Sequence, residues 1–508
     1  MPTFAAVDIG ANSVRLKVAR LVRQRLRTVH EDREVVRLGE SVFQAGMLAP
    51  AAMAQTVKVL RRFHKSVQQH GDGQVRVVAT SALRDARNAQ AFIDWVHMRT
   101  GWRVEVISGT EEARLIHLGI ITNLRVTASP LLLIDLGGGS CELTVSARRH
   151  IRETVSLPVG AVRLTQEFLH HDPPQDYELQ RLHSYIAEEV QRVARKIVAA
   201  RPQAVIATSG TAAALATSAQ SLLKNPGKEN MVPTRALVRL AAKLSRMSYA
   251  QRIRIPGIGT RRGEIILAGA AVFTELMQRC DLGGFRYSEL GLRDGLLAQM
   301  AADYTRTAKG TQQLESERWD ALVAMAKRYR VDMEQAQHVR GLVLQLFAGL
   351  KPVHRLPADY EEWVSAAAIL HEMGAYVNRT GWHRHAYYLI ANSEILGYTP
   401  AQRRVIAAIT RYLGSALPSS GDKLVKTLEP EDRDHVPKAV ALLRVARALN
   451  QGRRRAVTSI RSRARDSQVV LRISARRATG ADLELWAIKK ERAYFRAVLG
   501  RDLEMEIV

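Results

Sequence analysis

Cysteine is nearly absent from this 508-residue chain. Its two cysteines, Cys141 and Cys280, form no disulfide framework and show no metal-binding spacing, so a reducing compartment is expected. Cys141 reads as a small turn residue, because no histidine lies close in sequence to activate a thiolate. Long apolar runs are missing as well. No uncharged apolar stretch reaches the roughly 18 residues a membrane span needs. The first residues lead almost directly into a strand pattern, which leaves no room for a secretory signal. Acidic residues are scarce too: 49 Asp and Glu face 75 Lys and Arg, a formal net charge of +26. Such a surplus attracts polyanions over long range and in a salt-dependent way. Nucleic acid, phosphate polymer, polyphosphorylated nucleotide and acidic membrane all satisfy it, and charge alone does not choose among them.

What is present is ordinary globular material, 46% hydrophobic and 24% charged, in a chain too long for one core. Its organising stretch is LLLIDLGGGSCELTVS at 131–146. An apolar strand runs into Asp135, the turn Gly137-Gly138-Gly139-Ser140 follows, and Glu142 heads a second strand. Glycines allow positive φ and bring amide N–H groups close to a ligand, so the turn can form a nest for phosphate oxygens. Two carboxylates beside phosphates suit a divalent cation or an activated water. A bare Gly-rich hairpin would account for one such stretch. The same plan recurs in FAAVDIGANSVRLKVARLV at 4–22, with Asp8, Gly10 and the pair Asn12-Ser13, which reads as an internal duplication of one α/β unit. Two hairpins facing each other would grip a phosphate chain from both sides.

Between the hairpins, VRVVATSALRDARN at 75–88 predicts a strand opening into Thr80-Ser81 and a helix bearing Arg84. The hydroxyls and the arginine suit phosphate, or Thr80 and Ser81 simply cap the helix. In SGTEEARLIHLGI at 108–120, Ser108 or Thr110 caps a helix with Glu111 and Glu112 in its first turn. Neighbours on a helix point about 100° apart, so one of the two is expected in a cleft and the other in solvent. The residues alone leave the choice open. Past the second hairpin come a strand at 151–157, helices at 160–169 and 176–200, and a strand ending in Ser209-Gly210-Thr211, a third anion-facing turn. A surface loop is expected at 219–232. Arg261, Arg262 and Glu264 precede an apolar helix at 265–276, and Arg293-Asp294-Gly295 marks a final strand-to-helix junction. From about 303 the pattern is helical, with helices expected at 314–329, 332–349, 359–379, 383–396, 400–413 and 434–450. Its histidines His338, His371, His383 and His385, with Glu372, raise a metal reading. The tail predicts strands at 457–463, 468–474, 482–488 and 493–499. Residues 451–508 hold 14 Lys and Arg against 7 Asp and Glu.

The segments VDIGANS, VATSALRDARN, ISGTEEARLI, IDLGGGSCEL, SGT, GLRDGLL and HRHAYYLI occur in an order that resembles the exopolyphosphatase and guanosine pentaphosphate phosphohydrolase (Ppx/GppA) family, its long-form bacterial exopolyphosphatases in particular. The resemblance implies an α/β actin-like N-terminal half of the actin, sugar-kinase and Hsp70 superfamily (ASKHA), a duplicated ribonuclease H-like architecture with subdomains at 1–125 and 126–302. It further implies an all-helical, degenerate HD-like domain at 303–450 and a small basic β-rich domain at 451–508. By resemblance Glu112 activates the attacking water, with Glu142 as its catalytic neighbour, and Asp8, Asp135 and Glu142 serve the metal. Asn12, Ser13, Thr80, Arg84, Gly137, Gly138, Gly139, Ser140, Gly210 and Thr211 match phosphate-contacting positions. Ala11 and Cys141 depart from the commoner serine and threonine. In the HD-like region Glu372 follows His371 where active members have aspartate, and Arg447 replaces the last metal-binding aspartate with a group that cannot ligate a cation.

The implied activity is processive release of terminal orthophosphate from inorganic polyphosphate with Mg²⁺ or Mn²⁺, and K⁺ as an additional cation. The alternatives are 5′-phosphohydrolysis of guanosine pentaphosphate and a non-enzymatic phosphate-gated sensor, for which a retained base would be superfluous. Arg453, Arg454, Arg455, Arg461, Arg463 and Arg465 are expected to line a track for distal phosphates. A homodimer without specific nucleic acid is expected in the cytoplasm, with peripheral attachment at the inner membrane face as an alternative.

Overall fold

The computed structural model describes residues 1–507 apart from 72, 125, 223–230, 306–310, 420, 466 and 476–480. It divides into two units, Met1–Leu314 and Glu315–Val508.

In the first unit the alternating apolar pattern at the N-terminus forms β1 (Thr3–Ile9), β2 (Ser13–Val22) and β3 (Arg25–Val35), an antiparallel meander. Two parallel strands, β4 (Gln74–Ala79) and β5 (Val104–Val106), complete a sheet in the order β3-β2-β1-β4-β5. The second sheet repeats the arrangement. Its meander is β6 (Leu131–Leu136), β7 (Cys141–Ala147) and β8 (His150–Leu157), followed by β9 (Ala204–Thr208) parallel to β6. With β10 (Met231–Pro233) and β11 (Gly284–Tyr287) the order is β10-β11-β9-β6-β7-β8. The duplication read from the two hairpins is thus a duplication of topology.

One apolar cluster joins the halves of this unit. It combines Phe4, Ala6 and Val78 of the first sheet with Leu131, Leu133 and Ile206 of the second, through the helices Gly109–Asn123 and Leu292–Tyr304. Those helices cross in near contact: a Cβ on Gly295 would stand 1.8 Å from the Leu115 carbonyl oxygen. Only a residue without a side chain fits, so Gly295 fixes how deeply the Gly109–Asn123 helix is seated. The helix after β9 runs Ser209–Leu222, further than the surface loop expected from 219. Lys224-Asn225-Pro226-Gly227 of that loop lie outside the described residues.

The second unit is helical from Thr311–Arg328, which begins just ahead of its boundary, to Pro430–Ala448. The helix expected over 359–379 stops at Leu370 and continues as a 3₁₀ turn, Met373–Tyr376, where Gly374 disfavours an α-helix. In the tail, β12 (Val457–Ala464) and β13 (Gln468–Ala475) form as expected. The strands expected at 482–488 and 493–499 do not. They are one helix, Asp482–Leu499, followed by β14 (Asp502–Ile507) parallel to β13. Its buried positions Glu484, Ala487, Ile488, Tyr494, Phe495 and Leu499 recur at helical spacing, whereas the local alternation Leu483-Glu484-Leu485 imitates a strand. Core residues of β12, β13 and β14 belong to the same apolar cluster as the helices from Leu322 onward.

Candidate active site

Strand register builds the site. In the second sheet Asp135 lies opposite Glu142, Glu142 opposite Ser156, and Asp135 opposite Thr208. Thr208, Asp135, Glu142 and Ser156 therefore form one row on one face, with Cβ atoms of neighbours about 5 Å apart. The corresponding row of the first sheet is Val78, Asp8, Arg15 and Arg33. Both repeats place an aspartate on the first strand of the meander, but the second strand carries Glu142 in one and Arg15 in the other, and the third carries Ser156 in one and Arg33 in the other.

Glu112 reaches the acidic row from the N-terminus of the Gly109–Asn123 helix, which Ser108 caps by accepting from the Glu111 N–H at 3.1 Å. Oxygens of Glu112, Asp135 and Glu142 all lie within 4.8 Å of one another. Such crowding favours protonation. Burial, then Glu142, pushes the Glu112 carboxyl well up, and Arg84 opposes the shift. Burial, then Asp135, raises Glu142 to about 7, against the hydroxyls of Ser156 and Ser140. Asp135 is raised by burial and held back by Thr208. Ser156 donates to Glu142 Oε1 at 2.7 Å, Thr208 donates to Asp135 Oδ1, and the buried Glu142 Oε2 accepts no hydrogen bond. Three hard oxygen donors, one of them buried and unpartnered, fit a Mg²⁺- or Mn²⁺-type cation.

These groups adjoin a cleft of about 790 Å³ within the first unit. Asp8, Asn12, Ser13, Thr80, Glu112, Asp135, Gly137, Gly138, Ser140, Gly210 and Thr211 all line it. Asp8 shares the cleft without joining the three-carboxylate group. Arg84 stands behind the lining. It donates to the Ile107 carbonyl at 2.7 Å, Glu112 Oε2 at 3.1 Å and Ser140 Oγ at 3.3 Å, so its first task is to orient the glutamate. Gly139 also sits back, packed where a Cβ would stand 2.4 Å from Ser81 Oγ. None of Gly137, Gly138 and Gly139 has positive φ. Their bareness serves approach instead, since a Cβ on Gly138 would meet Ala11 of the opposite hairpin at 3.0 Å.

Glu111 does not face solvent. It is 7% exposed and forms a bidentate pair with Arg114, itself 1% exposed, at 2.8 Å for both bonds. Arg114 also donates to Gln299 Oε1 at 2.6 Å, tying this helix to Leu292–Tyr304. Facing inward is compatible with a neighbour 100° away because the helix is buried on nearly every side.

The cleft's other wall is cationic: Arg15, Lys17, Arg33, Arg261, Arg262 and Arg293. Among the described residues Arg15, Arg33, Arg261 and Arg262 make no salt bridge, and Arg33 Nε and Nη2 are buried without an acceptor. Burial lowers Arg33 to about 10 and Arg262 to about 9, with nearby arginines adding to both shifts. An anionic ligand would relieve that repulsion. Ser209, at φ +81° with its buried Oγ unpartnered, adds a strained hydroxyl at the cleft.

Sequence models of known families divide the chain accordingly. The Ppx/GppA phosphatase family model matches residues 17–303, and the model for Ppx/GppA phosphatase domain III matches 318–492. The chain belongs to the Ppx/GppA phosphatase family. Solved structures agree. A family member from Aquifex aeolicus is 27% identical, over 60% of this chain and 99% of its own, with a TM-score of 0.51. An exopolyphosphatase from Cytophaga hutchinsonii is 25% identical, over 59% and 98%, with a TM-score of 0.55. An exopolyphosphatase-like protein is 28% identical, over 60% and 100%, also at 0.55. Membership makes this Ppx/GppA protein a phosphatase, and among its described residues no helix is long and apolar enough to cross a membrane.

Motif reading misses Arg15, Arg33, Ser156 and Thr208 of this phosphatase. Only strand register exposes these four. Of the arginines expected to form a distal track, Arg453 pairs with Glu372 and Asp332, and Arg455 with Glu334 at 3.0 Å. Arg454, Arg461, Arg463 and Arg465 are exposed.

Proposed function

We propose that this protein hydrolyses the terminal phosphoanhydride of inorganic polyphosphate, releasing orthophosphate. The reading rests on one juxtaposition: three carboxylates that can hold a cation and position a water, beside a cleft lined by Arg15, Arg33, Arg261 and Arg262, which make no salt bridge among the described residues. Asp135 and Glu142 would hold Mg²⁺ or Mn²⁺, which when bound would neutralise charge on the reacting phosphate. Glu112 takes the proton of the attacking water. Its raised pKa makes it a stronger base than an exposed carboxylate, and Arg84 opposes that rise and aims the carboxylate. Amides of the two hairpins and the hydroxyls of Ser13, Ser140 and Thr211 receive the terminal phosphates. The arginine wall takes the charges that follow.

Guanosine pentaphosphate is the second reading. It draws support from the small apolar stretch Ala213, Ala214 and Ile258 beside Arg262, where a base could lie. Orthophosphate release from long-chain polyphosphate and from guanosine pentaphosphate, measured side by side with Mg²⁺, tests both. Faster release from the polymer is expected. Release only from the nucleotide would replace the first reading by the second, and release from neither would end both.

A further inference from the structure

We propose that Ser156 and Thr208 are positioning residues that bracket the carboxylate row and fix its cation site. The inference rests on the cation reading above and goes beyond it to residues that do not line the cleft. Four side chains stand in one row across β9, β6, β7 and β8: hydroxyl, carboxylate, carboxylate, hydroxyl. Each outer hydroxyl donates to the carboxylate beside it, Thr208 to Asp135 Oδ1 and Ser156 to Glu142 Oε1. A hydroxyl that occupies one oxygen fixes the carboxylate's rotation and leaves the other oxygen to turn toward the cation. On Glu142 that remaining oxygen, Oε2, is buried and accepts no hydrogen bond, although the Ser140 hydroxyl lies close enough to favour the ionised form.

The first repeat supplies an internal control. Its row, Val78, Asp8, Arg15 and Arg33, has neither bracket nor a second carboxylate, and Asp8 stands outside the three-carboxylate group. Hydroxyl brackets therefore accompany the acid pair and are not a demand of the topology. Gly109 belongs to the same device. A Cβ there would stand 2.4 Å from both Ser156 Cβ and Ser156 Oγ and 3.4 Å from Glu142 Oε1. The missing side chain at Gly109, just ahead of Glu111 and Glu112, makes room for Ser156 to reach Glu142.

Groups that orient metal ligands change metal affinity by about 10–100-fold when removed. The test is Mn²⁺ binding by the full chain without substrate, followed by electron paramagnetic resonance of free Mn²⁺. Wild type should bind Mn²⁺ at this row, and Ser156→Ala, Thr208→Val and Gly109→Ala should each weaken binding about tenfold or more. Thr208→Ser keeps the hydroxyl and should stay near wild type, which separates loss of the bracket from a general disturbance of the strand. Wild-type affinity in Ser156→Ala and Thr208→Val would overturn the proposal, as would equal losses in Thr208→Ser and Thr208→Val. Absence of Mn²⁺ binding by wild type would overturn it together with the cation reading. Normal Mn²⁺ binding that depends on both hydroxyls, in a protein that releases no phosphate from polyphosphate, would support the bracket and refute the proposed hydrolysis instead.

Discussion

Substituting Glu111 and Glu112 one at a time by glutamine, similar in size but uncharged, separates structure from chemistry at adjacent positions. Glu111 closes a bidentate pair on Arg114, and both are buried. A glutamine there offers one acceptor and turns its amide donors toward a guanidinium that needs none. Arg114 keeps its bond to Gln299 but carries an uncompensated charge in the interior. Breaking a buried pair from one side costs about 3–5 kcal/mol, and the surviving bond places this case near 3 kcal/mol. That corresponds to a fall in Tm of roughly 5–10 °C. Turnover per folded molecule should remain within about tenfold, since Glu112 keeps its own partner Arg84. Glu112→Gln should behave in the opposite way. It removes one of three mutually repelling carboxylates and one partner of Arg84, contributions that nearly cancel, so stability should stay within about 1 kcal/mol. Turnover should fall by about 10²–10⁴, the usual worth of a general base. Urea unfolding followed by tryptophan fluorescence, paired with orthophosphate release, reads both quantities. A wild-type unfolding midpoint for Glu111→Gln, or equal loss of turnover in the two variants, would refute the reasoning.

Gly295→Ala places a Cβ 1.8 Å from the Leu115 carbonyl oxygen, and backbone cannot move aside cheaply. Destabilisation of about 3 kcal/mol or more is expected in thermal unfolding, whereas a wild-type Tm would show that this helix crossing is loose. The carboxylate row predicts an unusual pH dependence. Glu142 titrates near 7 when folded, against an ordinary value of 4.5, so the folded state holds its proton more tightly than the unfolded state. Without divalent cation, stability should therefore fall as pH rises from 4.5 to 7, by up to about 3 kcal/mol, and level off above. Millimolar Mg²⁺ should remove most of that loss. Unfolding in EDTA and in Mg²⁺ across this range checks it, and identical profiles would contradict a cation at the row.

Much of the first unit is legible in the sequence because its signals are local. Asp8 and Asp135 end apolar strands in matching contexts, and that recurrence alone exposes the duplication. Ser108 as a cap and Glu112 in the first helical turn are also local facts. What escapes is set by partners distant in sequence. Arg33 means little until register lays it beside Arg15, and Ser156 is an ordinary strand serine until β7 brings Glu142 next to it. Periodicity assigns one of Glu111 and Glu112 to solvent because it reports angle and not depth, and a helix buried on nearly all sides has no solvent face. In the tail, the alternation around Leu483 and Leu485 is a strand's pattern over a few residues. The longer stripe from Glu484 through Ile488 and Phe495 to Leu499 is a helix's, and the longer signal wins.

The two repeats have kept one topology and reversed one sign. In the second sheet the central pair is Asp135 with Glu142, and each raises the other's cost of ionisation. In the first sheet the matching two strands set Asp8 opposite Arg15, and the third strand sets Arg33 opposite Arg15, where the arginine neighbours depress Arg33 in turn. The acidic pair and the arginine pair each crowd like charge, and residues of both rows line one cleft. Crowding of this kind opposes folding unless opposite charge arrives, and the two rows call for opposite ions. A divalent cation satisfies the acidic row alone. A phosphate chain satisfies the basic row alone. Under the proposed hydrolysis a cation-bound polyphosphate end would satisfy both at once, and each ligand would lower the free energy of the cleft that receives the other. Coupling between cation and polyanion would then follow from the divergence of the repeats, without requiring a separate regulatory site.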